Sequence, residues 1–242
     1  MRQIDDETMR RFRAAIRPNT RAVVCTIASN VTGQILPYRR IAQLCRENGL
    51  CFIADGAQAC GILPLSLEAD GMHILCTAGH KGLYGITGTG ILMTDCQFPI
   101  RPLMQGGTGS ASRSPEQPDF LPDRLECGTL NVIGAASLRA GIGFVKSRTV
   151  EMLYRHESYL CDLFCQAMQE LPEVRVYREA GVSYVPLSPL RWRMNRRKTG
   201  GVAQSGGLLL ACRFALRTAG ARKAWDSGWN AAVCAVGIQP GV

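Results

Sequence analysis

The chain has 242 residues, 46% of them apolar, and eleven cysteines without C-x-x-C spacing, so it can bury a sizeable core and reads as a reduced-thiol protein with no metal site, not a disulfide scaffold or zinc module. No run of 18 apolar residues occurs and the start (Met1-Arg2-Gln3-Ile4-Asp5-Asp6-Glu7) is too charged and acidic for a secretory signal, which predicts a cytoplasmic protein with no membrane partner. The formal charge of +9 invites a nucleic-acid partner, but residues 187–242 hold nine Lys/Arg against one acid, Asp226, and residues 1–186 are nearly balanced, so nucleic acid is excluded too.

The spacing of Met9, Phe12, Ala15 and Ile16 predicts an amphipathic helix over 6–16. The apolar, β-branched run Ala22-Val23-Val24-Cys25-Thr26-Ile27 predicts a strand covered on both faces. Ser29 to Gly33 is the turn after it. Pro37 then opens a helix reaching Asn48, with Ile41, Leu44 and Cys45 inward and Gly49 as its C-cap. Strands follow at 50–54, 72–76 and 90–93. Strand and helix alternate, which predicts an α/β fold whose ligand lies beyond the strands' carboxyl ends, where Asn30 and Asp55 fall. Residues 105–123 form a long Gly/Ser/Pro-rich loop, of a length that is usually functional or irregular. A helix begins at 134–145, and a long one over 149–171 leads to a small C-terminal domain.

The segment Thr77-Ala78-Gly79-His80-Lys81-Gly82-Leu83-Tyr84-Gly85 places one lysine between glycines just after a strand. A lysine led into such a pocket must lose its charge or pair it. Burial lowers its pKa, and a neutral amine forms a Schiff base with a carbonyl. Asp55 closes the preceding strand, in Asp55-Gly56-Ala57-Gln58. A carboxylate on a pyridinium nitrogen and a lysine on an aldehyde carbon are the two groups that pyridoxal 5'-phosphate requires.

Asn30-x-x-Gly33, Asp55-x-Ala57-Gln58, Gly79-His80-Lys81-Gly82-Leu83-Tyr84-Gly85 and Arg124-x-Glu126-x-Gly128-Thr129-x-Asn131 occur in that order. Together they resemble the class V aminotransferase / cysteine desulfurase family of fold-type I pyridoxal phosphate enzymes, from about residue 21 to about 186. The resemblance implies a partial fold-type I large domain over 1–148, the start of a small C-terminal domain over 149–186, and an anomalous, poorly ordered basic tail over 187–242. It implies Lys81 as the Schiff-base lysine and base at Cα, with Asp55 on the ring nitrogen. Gln58 is then placed on the ring hydroxyl oxygen. His80 is a phosphate donor or pocket wall, or equally a structural histidine. Asn30 contacts cofactor and substrate carboxylate. Gly106-Gly107-Thr108 reaches across a homodimer interface to the neighbour's cofactor phosphate. Arg124 and Glu126 read as a structural ion pair. The implied chemistry is desulfuration of cysteine to alanine, with sulfur passed to an enzyme cysteine and on to an acceptor protein. Transamination, selenocysteine lysis and a non-catalytic relic are the alternatives.

The chain departs from the pattern in three ways. Ala78 stands where the family often has a phosphate-binding Ser or Thr, and Thr77 is one place out of register. The chain begins where the family's Gly-rich phosphate cradle should already be complete. No His-Cys-Ala-Pro-like loop is present; Cys212 and Cys234 have other neighbours. All three tryptophans (Trp192, Trp225, Trp229) fall in the basic tail. Read one base out of frame from Cys212, the codons permit His-Cys-Ala-Pro followed by Gly-Thr…Gly-Thr, as in the family's ending. The pairs Trp225-Asp226 and Trp229-Asn230 then force glycine. The tail therefore reads as a frameshift product, the break lying after Met194.

Overall fold

The structure is a computed structural model that describes residues 2–111, 113–192, 208–213 and 236–237. Helix α1 (Arg2–Ala15) starts four residues before the predicted helix. Its apolar face carries Met9, 1% exposed, with Phe12 and Ile16 packed on the same core. Exposed Arg10 and Arg11 both pair with Glu7, three and four residues earlier, and support the helix's polar face.

The first sheet has the order β1 (Ala22–Thr26), β2 (Cys51–Asp55), β3 (Ile74–Ala78), β4 (Gly90–Thr94). The first three strands are parallel and β4 is antiparallel to β3. Helix α2 (Tyr38–Glu47) makes the crossover from β1 to β2 and buries Ile41, Leu44 and Cys45. Gly49 follows at φ +63, as the predicted C-cap requires. Phe52, Ala54, Met72 and Leu75 complete the core between sheet and helices. One expectation fails: β1 is not covered on both faces. It is an edge strand, and Val24 is 70% exposed while Val23 and Cys25 pack on the core. An apolar run reads the same whether one face or both are covered.

After the long loop and a short 3-10 turn (Asp123–Leu125), α3 (Val132–Arg148) and α4 (Val150–Gln169) follow, with Thr149 accepting a bond from Met152 N–H as the cap of α4. The second sheet is antiparallel, in the order β5 (Val174–Val176), β6 (Leu187–Trp192), β7 (Leu208–Arg213), β8 (Val236–Gly237). The anomalous tail is expected from residue 187. β6 starts there, with Leu187, Ser188 and Leu190 buried. Residues 208–213, which lack an alternating pattern, nevertheless pair with β6 from Leu208↔Trp192 to Arg213↔Leu187. A strand flanked on both edges needs apolar content, not alternation. Residues 193–207, 214–235 and 238–242 lie outside the described residues, and most of the frameshift reading lies with them. The approach to β6 is joined to the first sheet: Val185 N–H donates to Gly33 O at 2.8 Å, and Ala28, Ile62, Val185 and Leu187 share one apolar cluster. Among the described residues no helix is long and apolar enough to cross a membrane.

Candidate active site

Three of the expected residues follow the carboxyl ends of the three parallel strands. Asn30 lies in the turn after β1, Asp55 ends β2, and Lys81 follows β3 by three residues. Register puts Asp55 opposite Thr26 on β1 and Cys76 on β3, so the segments bearing Asn30 and Lys81 leave the sheet at the same end as Asp55. The Asp55 side chain is exposed, and its Oδ1 accepts the Ala57 N–H at 2.8 Å, which fixes the carboxylate's orientation. Gln58 is half-buried in the turn that follows, where Cys60 N–H returns to Gly56 O at 2.8 Å. Asn30 is exposed, in a turn whose Ser29 hydroxyl accepts the N–H groups of Val31 and Thr32.

The turn bearing Lys81 is clamped on several sides. Gly79 N–H donates to Thr89 O, Gly85 N–H to Gly79 O, and Tyr84 N–H to Lys81 O at 3.0 Å. Gly61 and Gly141 allow the turn's backbone to approach closely. A Cβ on Gly61 would lie 2.0 Å from Gly82 O, and one on Gly141 2.1 Å from Leu83 O. Tyr84 holds φ 57, a left-handed value rare outside glycine. Lys81 is half-buried and makes no ion pair among the described residues; His80 beside it is exposed. Thr77 is buried, and its hydroxyl donates inward to Gly56 O at 3.4 Å.

Gly107 and Thr108 do not join this cluster through any described hydrogen bond. Gly106 O accepts the Gly128 N–H, and a Cβ on Gly107 would lie 2.9 Å from Gly128 Cα, so this loop packs on the Arg124–Asn131 motif. Thr108 is buried, with Oγ1 accepting from Ala111 N–H at 3.1 Å. The expected Arg124–Glu126 ion pair is not among those of the described residues. Asn131 caps α3 by accepting from Gly134 N–H at 2.9 Å and donates to Gly88 O, which ties that motif to the Lys81 turn's far end.

Nine of the cysteines, Cys25 to Cys165, are free thiols. Cys25, Cys60 and Cys76 surround the base of Asp55. Burial pushes all three thiols up, and the Asp55 charge adds to it. Neither Tyr84 nor Glu157 has a role assigned from its sequence context. The Tyr84 hydroxyl donates to Glu157 Oε1 at 2.9 Å. The signal for Glu157 is its place in the stripe Leu153, Glu157, Cys161, Cys165, a carboxylate on the buried face of α4.

Residues 3–186 match the family model for class-V aminotransferases. The chain belongs to that family. Class-V relatives include a probable cysteine desulfurase of Methanothermobacter thermautotrophicus, 28% identical over 74% of this chain and 46% of that protein. A cysteine desulfurase of Klebsiella pneumoniae is 30% identical over 67% of this chain and 41% of its own. The chain thus spans under half the length of these two relatives. Among solved class-V structures, the apo cysteine desulfurase of Thermococcus onnurineus matches with a TM-score of 0.61 at 26% identity, over 70% of this chain and 44% of that one. Escherichia coli CsdA, at TM-score 0.65 and 23% identity over 75% and 45%, shares the fold. The α/β fold expected from the sequence is therefore that of fold-type I pyridoxal phosphate proteins.

Proposed function

We propose that this chain carries the Lys81–Asp55 part of a pyridoxal phosphate site of the cysteine desulfurase type. The observation that carries the reading is that the adjacent parallel strands β2 and β3 lead at their carboxyl ends into an oriented carboxylate, Asp55, and, three residues past β3, into the half-buried Lys81. The donor set fits the group. Asp55 Oδ1 is engaged by Ala57 N–H, and the second oxygen is left to a protonated ring nitrogen. Lys81 supplies an amine to the aldehyde, and Gln58 and Asn30 supply polar groups at the same rim. His80, exposed, is placed as a phosphate donor. Bound there, pyridoxal phosphate supplies the electron sink for charge developing at a substrate's Cα. The protein's part is to turn the Asp55 carboxyl toward the ring nitrogen, to hold Lys81 as the group that takes the Cα proton, and to position cysteine's carboxylate by Asn30.

The reading includes a homodimer in which Gly107 and Thr108 serve the neighbour's phosphate, and a cytoplasmic setting with a sulfur-acceptor protein. It also holds that Cys25, Cys60 and Cys76, the thiols around Asp55, do not take sulfur from cysteine. Burial, with the Asp55 charge, pushes these three thiols up, away from the thiolate that is the nucleophile. The test is reductive trapping of pyridoxal phosphate with borohydride, then peptide mapping. The cofactor mass is expected on Lys81, with none on Lys81→Ala and no sulfide released from cysteine above free pyridoxal phosphate. Trapping on other lysines alone overturns the cofactor site; sulfide release above that background overturns the account of the thiols.

A further inference from the structure

We infer that Glu157 is a positioning residue for Lys81, anchoring through the Tyr84 hydroxyl the turn that presents the amine. The inference rests on the reading of Lys81 as the carbonyl-binding lysine, but its first measurement does not use the cofactor.

Glu157 is 1% exposed on α4, aligned at intervals of four with Leu153, Cys161 and Cys165. A carboxylate in such a stripe costs several kcal/mol unless it is bonded. Its Oε1 accepts the Tyr84 hydroxyl at 2.9 Å, across 73 residues of sequence. Tyr84 is an unusual residue to be held in this way. At φ 57 it occupies a conformation that costs about 1–3 kcal/mol and persists only where the surroundings over-determine it. Phe144 of α3 meets its ring edge-on at 5.1 Å, and Glu157 takes its hydroxyl. Tyr84 N–H in turn donates to Lys81 O at 3.0 Å. Two hydrogen bonds therefore connect a carboxylate on α4 to the backbone of the lysine. Gly141 brings α3 against the Leu83 carbonyl, so the turn is held at its back by α3 and at its hydroxyl by α4. Glu157 reaches Lys81 only through Tyr84, and so acts on how the turn presents the lysine.

The experiment uses the full chain and three variants, Tyr84→Phe, Glu157→Ala and Glu157→Gln. Amines are acetylated with a limiting pulse of acetic anhydride, without cofactor, and the Lys81 rate is read by mass spectrometry against exposed Lys146 in the same sample. In the parent, half-buried Lys81 is expected to react more slowly than Lys146. Tyr84→Phe and Glu157→Ala should change the Lys81/Lys146 ratio at least threefold. Glu157→Gln, which keeps an acceptor oxygen, should return it to within twofold. A second measurement titrates pyridoxal phosphate against borohydride-trapped Lys81, where the half-saturating concentration should rise at least fivefold in the first two variants only. If the parent traps no cofactor on Lys81, the cofactor reading fails and the acetylation ratios alone decide the positioning role. If Tyr84→Phe and Glu157→Ala melt at lower temperature with unchanged ratios, the bond is merely structural and the inference is overturned. Tyr84→Phe, which removes one oxygen, decides the matter if Glu157→Ala does not fold.

Discussion

A carboxylate on a pyridinium nitrogen contributes through its charge, and Asp55 offers a way to separate charge from shape. Asp55→Asn keeps an oxygen for the Ala57 N–H and removes the charge. A hydrogen bond to a charged group is worth about 1.5–3 kcal/mol, so cofactor affinity should fall about tenfold to a hundredfold in a trapping titration. An unchanged affinity would remove Asp55 from the site. The buried thiols give a pH dependence of their own. Burial, reinforced by Cys51 and Cys25, pushes Cys45 from its ordinary 9.0 up to about 11. A raised folded-state value means that the neutral thiol is the form the fold favours. Its contribution is fully present below pH 9.0 and is lost as pH rises toward about 11. The melting temperature should therefore fall over that window, and Cys45→Ala, though lower throughout, should fall less steeply. The places of Asp55 and Lys81 were legible in the sequence because each stands at a short offset from a strand end. Glu157 was not, because its partner Tyr84 is 73 residues away and only packing joins them.

Helices and strands were legible where one physical signal dominates. In α2, Pro37, the inward Ile41, Leu44 and Cys45, and Gly49 at φ +63 agree with one another. They fail to agree at β1, where an apolar run lies at a sheet edge, and at β7, whose pairing with β6 depends on residues about twenty positions away. The start of α1 depends on charge, and that is testable. The Glu7 carboxyl is held down at about 2 by Arg10 and Arg11, from an ordinary 4.5. A depressed value means that its contribution to α1 is present above 4.5 and is lost as pH falls toward about 2. A side-chain NMR titration should place the Glu7 midpoint near 2, and Arg10→Ala with Arg11→Ala should return it toward 4.5; a midpoint near 4.5 in the parent would dissolve the pairing. The close approach of α3 to the Lys81 turn sets a larger energy. Gly141→Ala gains about 1 kcal/mol of helix propensity. Against that, its Cβ would lie 2.1 Å from a backbone carbonyl that cannot rotate away, and overpacking costs typically about 1–3 kcal/mol. The net effect expected in denaturant unfolding is a loss of stability, with cofactor trapping on Lys81 reduced because the turn must shift; a stabilised variant would show that the turn and α3 are not in contact.

At the scale of the molecule, the surface has an apolar region that a monomer has no reason to keep. Val132 and Ile133, 71% and 78% exposed, open α3, and Leu130 precedes them at 55%. Ile86, 47% exposed, is held against the same helix by the bond from its N–H to the Ser137 hydroxyl at 3.1 Å. Contiguous exposed apolar residues of this kind mark interfaces. A second copy is the occupant that the proposed homodimer supplies, and the loop of Gly106 to Thr108 packs on the segment that leads into this patch. In a two-fold interface a residue meets the same patch on its partner, so an introduced carboxylate faces its own copy as well as apolar surface. The chain should therefore sediment as a dimer at micromolar concentration, and Val132→Asp with Ile133→Asp should sediment as a monomer of unchanged helix content. Pyridoxal phosphate trapping on Lys81 reports on the loop in the same samples. If Gly107 and Thr108 serve the neighbouring site, the monomeric variant should need a higher cofactor concentration to label Lys81. A monomer that labels as readily as the dimer would confine the site to one chain, and a parent that is monomeric at all concentrations would leave the patch to a different partner.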